Sequence, residues 1–408
     1  MTAPAPRIDA AGARIVVVSA VCIGVGASLG FLSGFLATAL RDDLDISRGK
    51  VGLLVSVYFG FTGLGSVLGG RATEAFGARL VITIDMVLVA IAAFLSAAIG
   101  AYWALLLAGV IGGSGYALVN AGTNVAIGRA VPPERRTLAM SIKTAGVPVM
   151  AMLAAAIGPG AASRSSWEAV LSVTGAIAAV AAVIAFFTFA DDRPVHVERS
   201  RAELPDGFIW FAFGALLLIA GSQPLYSWIV AYLEESLDAS AGLAGAVSAT
   251  ASGCGVVFMI ATSLRTDRVG PEARIRRLMA LVSINAVATL LVLMGDAIGV
   301  GFVAFGVLIG VSAQLAAIGT MHAVVVDRAP DAIARATGVT MTGYYVGALV
   351  SPAVFGWLAD ATGTFAWSWA ATATLLAVAV PVWAIAGRGG LKVRDTPPTE
   401  MPTTTGRT

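Results

Sequence analysis

Lys143 stands in "SIKTAGVPVMAMLAAAIGPG" (141–160), a stretch with no other charge. An ammonium carries three donors and a full positive charge, and nothing within the stretch neutralises it. It either meets an anion inside a cavity or snorkels to an interface, since it lies seven residues past Arg136. Gly146, Val147, Met150 and Ala154 share its helical face and leave room there, and Pro148 frees the carbonyl of Thr144. Elsewhere Tyr116, Asn120, Thr123 and Asn124 recur at i, i+4, i+7 and i+8, on one helix face. Their amides suit a ligand or a neighbouring helix. Gln314 and His322 stand two turns apart. The histidine is either a proton carrier near neutral pH or a packed neutral ring. Gln223 and Tyr226 (with Ser227 and Trp228) and Thr340 and Tyr344 are further polar groups in apolar surroundings. Tyr232 reads as part of an aromatic belt at a membrane surface. Asp85, six residues from Arg79, reads as a structural partner for loop arginines. Cys22 and Cys254 read as small packing residues.

The elements that hold these residues are long and apolar. Of 408 residues, 58% are hydrophobic and 12% charged, with a mean hydropathy of +0.86, where a soluble domain carries about 25% charge. Runs of roughly 20 apolar residues read as membrane-spanning helices. Twelve are expected, at 14–40, 51–70, 80–100, 102–129, 137–160, 167–190, 207–233, 241–264, 278–295, 297–326, 335–358 and 366–387. The first is too long for a signal peptide and reads as a retained span. With both termini placed in the cytoplasm, only Arg41, Arg48, Lys50 and Arg164 of the 26 Lys and Arg fall outside, and Lys143 lies within a span. The positive-inside rule therefore favours that orientation. The expectation is an all-α integral membrane protein with 12 transmembrane helices in two six-helix halves. Residues 1–13 form a cytoplasmic N-terminus, 14–190 and 207–387 the halves, 191–206 a central cytoplasmic loop and 388–408 a disordered tail.

The halves repeat. At an offset of 193 residues "LDISRGKVG" (44–52) lies over "LDASAGLAG" (237–245), and "EAFG" (74–77) over "DRVG" (267–270). The matches fall in polar loops and in the same orientation, which implies a parallel repeat about an axis normal to the membrane.

Twelve spans, a parallel repeat and an acid-x-x-Gly loop after spans 2 and 8 resemble the major facilitator superfamily over essentially the whole chain. The family's loop signature, roughly Gly-x-x-x-Asp-Arg-x-Gly-Arg-Arg, reads "GRATEAFGAR" at 70–79. Gly70, Gly77 and Arg79 fit, Glu74 replaces the acid, and Ala75 departs from the arginine. The second copy keeps Asp267, Arg268 and Gly270. The resemblance implies that this acid meets a helix end of the other half and latches one conformation, an expectation that Ala75 weakens. The stretch "VNAGTNVAIGRAVPPERRTLAMSIKTAGVPV" also resembles cyanate and nitroimidazole transporter relatives.

The resemblance implies a secondary transporter working by alternating access, with a substrate site near the midplane between the halves. The cavity candidates are Lys143, Asn120, Asn124, Tyr116, Gln223, Tyr226, Gln314, His322 and Tyr344. A cation without a carboxylate beside it suits a small organic anion, with a proton gradient as driving force and no cofactor. The expected partners are substrate and lipid bilayer, not nucleic acid, in a monomer in the plasma or inner membrane. A drug or metabolite exporter of the same fold is the alternative, although spans 1, 2, 4 and 5 hold no acid of the kind that exporters of cations need. A polytopic enzyme fits worse. His196 and His322 do not cluster for metal or acid–base work, and "IGGSG" (111–115) follows no strand, so it is no phosphate loop.

Overall fold

The computed structural model describes residues 8–190, 203–266 and 268–388. Their regular structure is fifteen α-helices and one short 3₁₀ turn, without a strand. The first half holds α1 (Ala10–Phe35), α2 (Ala37–Leu44), α3 (Arg48–Ile99), α4 (Tyr102–Ala130), α5 (Pro133–Ala162) and α6 (Trp167–Thr188). The second holds α7 (Ile209–Ser222), α8 (Pro224–Ser227), α9 (Ile229–Leu237), α10 (Ala241–Thr266), α11 (Pro271–Leu293), α12 (Gly295–Ile298), α13 (Val300–Arg328), α14 (Ile333–Thr362) and α15 (Ala366–Arg388). The expected tail, most of the central loop with His196, and Asp267 lie outside the described residues.

Among the described residues, ten helices are long and apolar enough to cross a membrane. The expected spans 51–70 and 335–358 are not among those ten; they lie in α3 and α14, which pack on each other. Spans 2 and 3 fall within one helical run, α3, broken at Gly77, whose φ of 80° and ψ of 164° are open to glycine at no steric cost. The seventh span is divided into α7, α8 and α9. The second break falls at Trp228, at φ −126°, and the first at Pro224, which lacks an N–H and frees the carbonyl four residues back. That carbonyl, of Ala220, accepts instead from the Ser351 hydroxyl of α14 at 2.5 Å. Leu64, Phe187, Val257 and Trp357 project outward, exposed, as side chains facing hydrocarbon would.

The repeat has a local physical basis. Asp45 and Asp238 both end their helices in the left-handed region, at φ 48° and 49°, which Asp tolerates better than most side chains. Two residues later Ser47 and Ser240 accept from the backbone N–H groups of Lys50 and Leu243, each at 3.3 Å. Each loop thus stops one helix and starts the next with the same device.

Glycines set the helix seams. A β-carbon on Gly146 of α5 would run into the carbonyl of Ala20 on α1, and one on Gly343 of α14 into that of Ala212 on α7. Between the halves, Gly52 of α3 abuts the Pro352 carbonyl of α14, and Gly245 of α10 that of Ala155 on α5. Backbones therefore touch directly within and between the halves. The Gly146 contact corrects the sequence reading of that residue. It faces α1 rather than open space beside Lys143.

Candidate functional site

A cavity of about 450 Å³ lies between the halves. Its wall runs from Phe31 and Phe59, near the end of the bundle where Asp45 turns, to Met140 and Thr337, near the other end. All nine cavity candidates line it: Tyr116, Asn120 and Asn124 on α4, Lys143 on α5, Gln223 and Tyr226 around the α7–α8 break, Gln314 and His322 on α13, and Tyr344 on α14. Thr123 does not join them. Its hydroxyl turns into the bundle, donating to the Val119 carbonyl at 2.6 Å. Thr340 does the same toward Ala336 at 2.9 Å. Phe31, Phe59, Met259, Met341 and Tyr345 also line it, residues that apolar spans give no reason to single out.

The lysine does not snorkel. It is buried, and its ammonium donates to Asn120 Oδ1 at 2.7 Å and Asn124 Oδ1 at 2.8 Å. Because an ammonium only donates, these bonds fix both amides with oxygen toward it. Two of its three donors are used, and its charge meets dipoles rather than a counter-charge. None of the described residues lining the cavity is Asp or Glu. Across the cavity, Gln314 Oε1 is buried without a hydrogen-bond partner. Pro148 and Thr144 also line the wall beside Lys143.

At the Asp45 end the halves are tied by charge. Glu235 of α9 takes Arg41 of α2, and also Arg48 of α3, whose Nε and Nη2 reach its Oε2 at 2.8 and 2.6 Å. Asp360 of α14 accepts from the backbone N–H groups of Arg48 and Gly49 at 3.1 and 2.7 Å, capping the start of α3. Below this seal Phe31 and Tyr226 bring their rings to 5.6 Å across the halves. The sequence reading missed the tie among Arg41, Arg48, Glu235 and Asp360, whose partners lie in the other half. It expected the latch at Gly70, Glu74, Gly77 and Arg79 and at Asp267, Arg268 and Gly270. There, Arg79 lies 3.8 Å over the Phe186 ring, Glu74 is half-buried, and Gly270 opens α11 at an ordinary φ of −73°.

Two other readings are corrected. Tyr232 is buried, not interfacial, donating toward the Val292 carbonyl and Asp296 Oδ1, both at 3.1 Å. Asp85 is fully buried and its carboxylate meets no arginine.

The sequence profile of the Major Facilitator Superfamily matches residues 16–352, and the chain belongs to that family. A bacterial homologue of the human lysosomal transporter Spinster, inward-facing and unoccupied, has the same fold, with a TM-score of 0.78 at 15% identity, over 93% of this chain and 98% of that one. An inward-open structure of the xylose transporter XylE from E. coli gives a TM-score of 0.74 at 13% identity, over 90% and 95%. A hexuronate transporter of Bacillus subtilis (strain 168) is 25% identical over 158 residues, which is 39% of this chain and 37% of that protein. The chain is therefore a multi-pass membrane transporter rather than an enzyme.

Proposed function

We propose that this protein is a proton-coupled secondary transporter of a small organic anion, and that Lys143 anchors the anion. The observation that carries this is a buried ammonium on the cavity wall with two amide acceptors, one donor left and no acid in the lining. Burying a cation without its counter-ion is costly. An entering carboxylate supplies that charge, takes the remaining donor and leaves the amide N–H groups of Asn120 and Asn124 for further acceptors. Gln223, Gln314, His322 and the tyrosines offer hydrogen bonds to hydroxyls. A hydroxylated carboxylate such as a sugar acid satisfies both sets, and the hexuronate relative supports that choice.

With the termini in the cytoplasm, the Arg41–Arg48–Glu235 seal lies outside and the cavity extends toward the cytoplasm. That geometry corresponds to the inward-facing state of the structural neighbours. The two halves, 14–190 and 207–387, then rock about the site in a monomer of the plasma or inner membrane.

The experiment is a thermal-shift screen of detergent-purified wild type and Lys143→Ala against glucuronate, gluconate, xylose and tetraphenylphosphonium. A ligand raises stability by mass action. Stabilisation of wild type by a carboxylate, lost in Lys143→Ala, supports the reading. Equal stabilisation of both proteins by xylose or the cation overturns it in favour of an exporter of neutral or cationic compounds.

A further inference from the structure

Asp85 is the acid that the cavity description leaves unused. It sits on α3 in the core of the first half, fully buried, and neither carboxylate oxygen has a hydrogen-bond partner. Two glycines shape its place. A β-carbon on Gly26 of α1 would lie 3.1 Å from Asp85 Oδ2, and one on Gly115 of α4 would collide with Oδ1. Glycines on two helices thus leave the space that the Asp85 carboxylate fills. An ionised carboxylate there, with neither oxygen hydrogen-bonded, is strongly disfavoured, whereas a protonated one is a small neutral group. The pocket therefore distinguishes strongly between the two forms.

Its surroundings lead to the cavity. The titratable groups facing Asp85 are Cys22 on α1, Tyr58 on the first part of α3 and Tyr116 on α4. Three more helices pack on α3: α6, whose one charged residue is Glu168 in its first turn, α2, which carries Arg41, Asp42 and Asp43, and α14 of the other half, which carries Arg335, Tyr344, Tyr345 and Asp360. Tyr58 is engaged, donating to the Gly26 carbonyl at 2.7 Å. Tyr116 both lines the cavity and approaches the same Gly26 position, at 3.4 Å from its Cδ2. Tyr116 thus borders both the cavity that holds Lys143 and the Gly26 position that Asp85 borders.

We propose that Asp85 is the proton-carrying site of the transport cycle, loaded and emptied through the cavity past Tyr116. This rests on the anion-transport reading above. The carboxylate takes a proton from hydronium while the cavity faces the acidic side, leaving water and becoming a neutral acid that rides within the closed half. It returns that proton to water when the cavity faces the other side. No other bond is made or broken.

The test uses the full-length protein in liposomes with radiolabelled glucuronate as probe. Exchange of internal for external glucuronate at equal pH needs no net proton movement, whereas accumulation driven by an inward acid pH gradient does. The expected result is that Asp85→Asn, a neutral replacement of similar size, exchanges as wild type does and loses accumulation. Wild-type accumulation by Asp85→Asn overturns the proposal. So does loss of exchange together with accumulation when glucuronate still stabilises the variant in detergent. If Asp85→Asn does not fold, Asp85→Ser, smaller and uncharged, takes its place. A measurement on wild type alone adds an independent check: glucuronate entry should alkalinise a weakly buffered exterior. Net glucuronate entry with no proton movement overturns the proposal alone. Failure of wild type to bind or exchange glucuronate or gluconate overturns the anion reading, and the proposal falls with it.

Discussion

Helices α4 and α13 are both 29 residues long, and each sends to the cavity a row of three residues that starts 14 positions from its first residue and recurs every four, with Leu315 and Gly319 beside the row in α13. In α4 these are Tyr116, Asn120 and Asn124; in α13 they are Gln314, Ile318 and His322. The neighbouring helices match too, since Gly146 against Ala20 and Gly343 against Ala212 make the same backbone contact. Counting back three residues from each glycine pairs Lys143 with Thr340. One half thus presents an ammonium on two amides. Its twin presents a branched alkane and a hydroxyl turned back on its own helix. A duplicated scaffold fixes where side chains point, and it leaves each copy free to differ in charge. The first half holds charge, and the second offers neutral hydrogen-bonding groups and apolar surface.

Lys143→Ala breaks this asymmetry most. Losing the charged partner of a bound carboxylate should weaken binding by about 2–5 kcal/mol, seen as loss of the carboxylate-induced thermal shift while apo stability stays close to wild type. Asn120→Ala and Asn124→Ala come next. Each removes one acceptor from a buried ammonium, and each should lower stability by about 1–3 kcal/mol, read in a denaturation series of the purified protein. Ile318→Asn sharpens the comparison from the other side. It restores the amide of α4 to its twin without an ammonium, and it should leave the thermal shift of Lys143→Ala unrescued. Rescue would show that amides rather than charge hold the ligand. Glu235→Gln has the smallest effect. Its pairs are part-exposed, worth about 0.2–1 kcal/mol each. The variant should change accessibility of the Asp45 end to a membrane-impermeant thiol reagent, tested with a cysteine at Ser47, more than it changes stability.

The cavity face was legible because helical spacing is a local property. Tyr116, Asn120 and Asn124 share a face whatever surrounds them, and the cost of polar groups in hydrocarbon points that face inward. The direction of Lys143 was not legible by itself, since snorkelling and cavity lining differ only in the partners that α4 supplies. The seal was hidden for a related reason. Arg41 and Glu235 are 194 residues apart, and no periodicity connects them. Asp85 was misread because sequence distance to Arg79 suggested a partner, whereas Arg79 turns to Phe186 and leaves the acid among α1, α3 and α4. The subdivision of span 7 was foreshadowed by Pro224, although its length as an apolar run argued for one helix.

In the proposed rocking of the halves, the seams where Gly52 meets Pro352 and Gly245 meets Ala155 would serve as bearings. Interlocked side chains would have to leave their rotamers each time one half swung past the other, and every swing would meet friction. Bare backbone against bare backbone has no teeth to disengage. A single methyl group at Gly52 or Gly245 would then act as a wedge, jamming the swing while leaving the ligand cradle untouched.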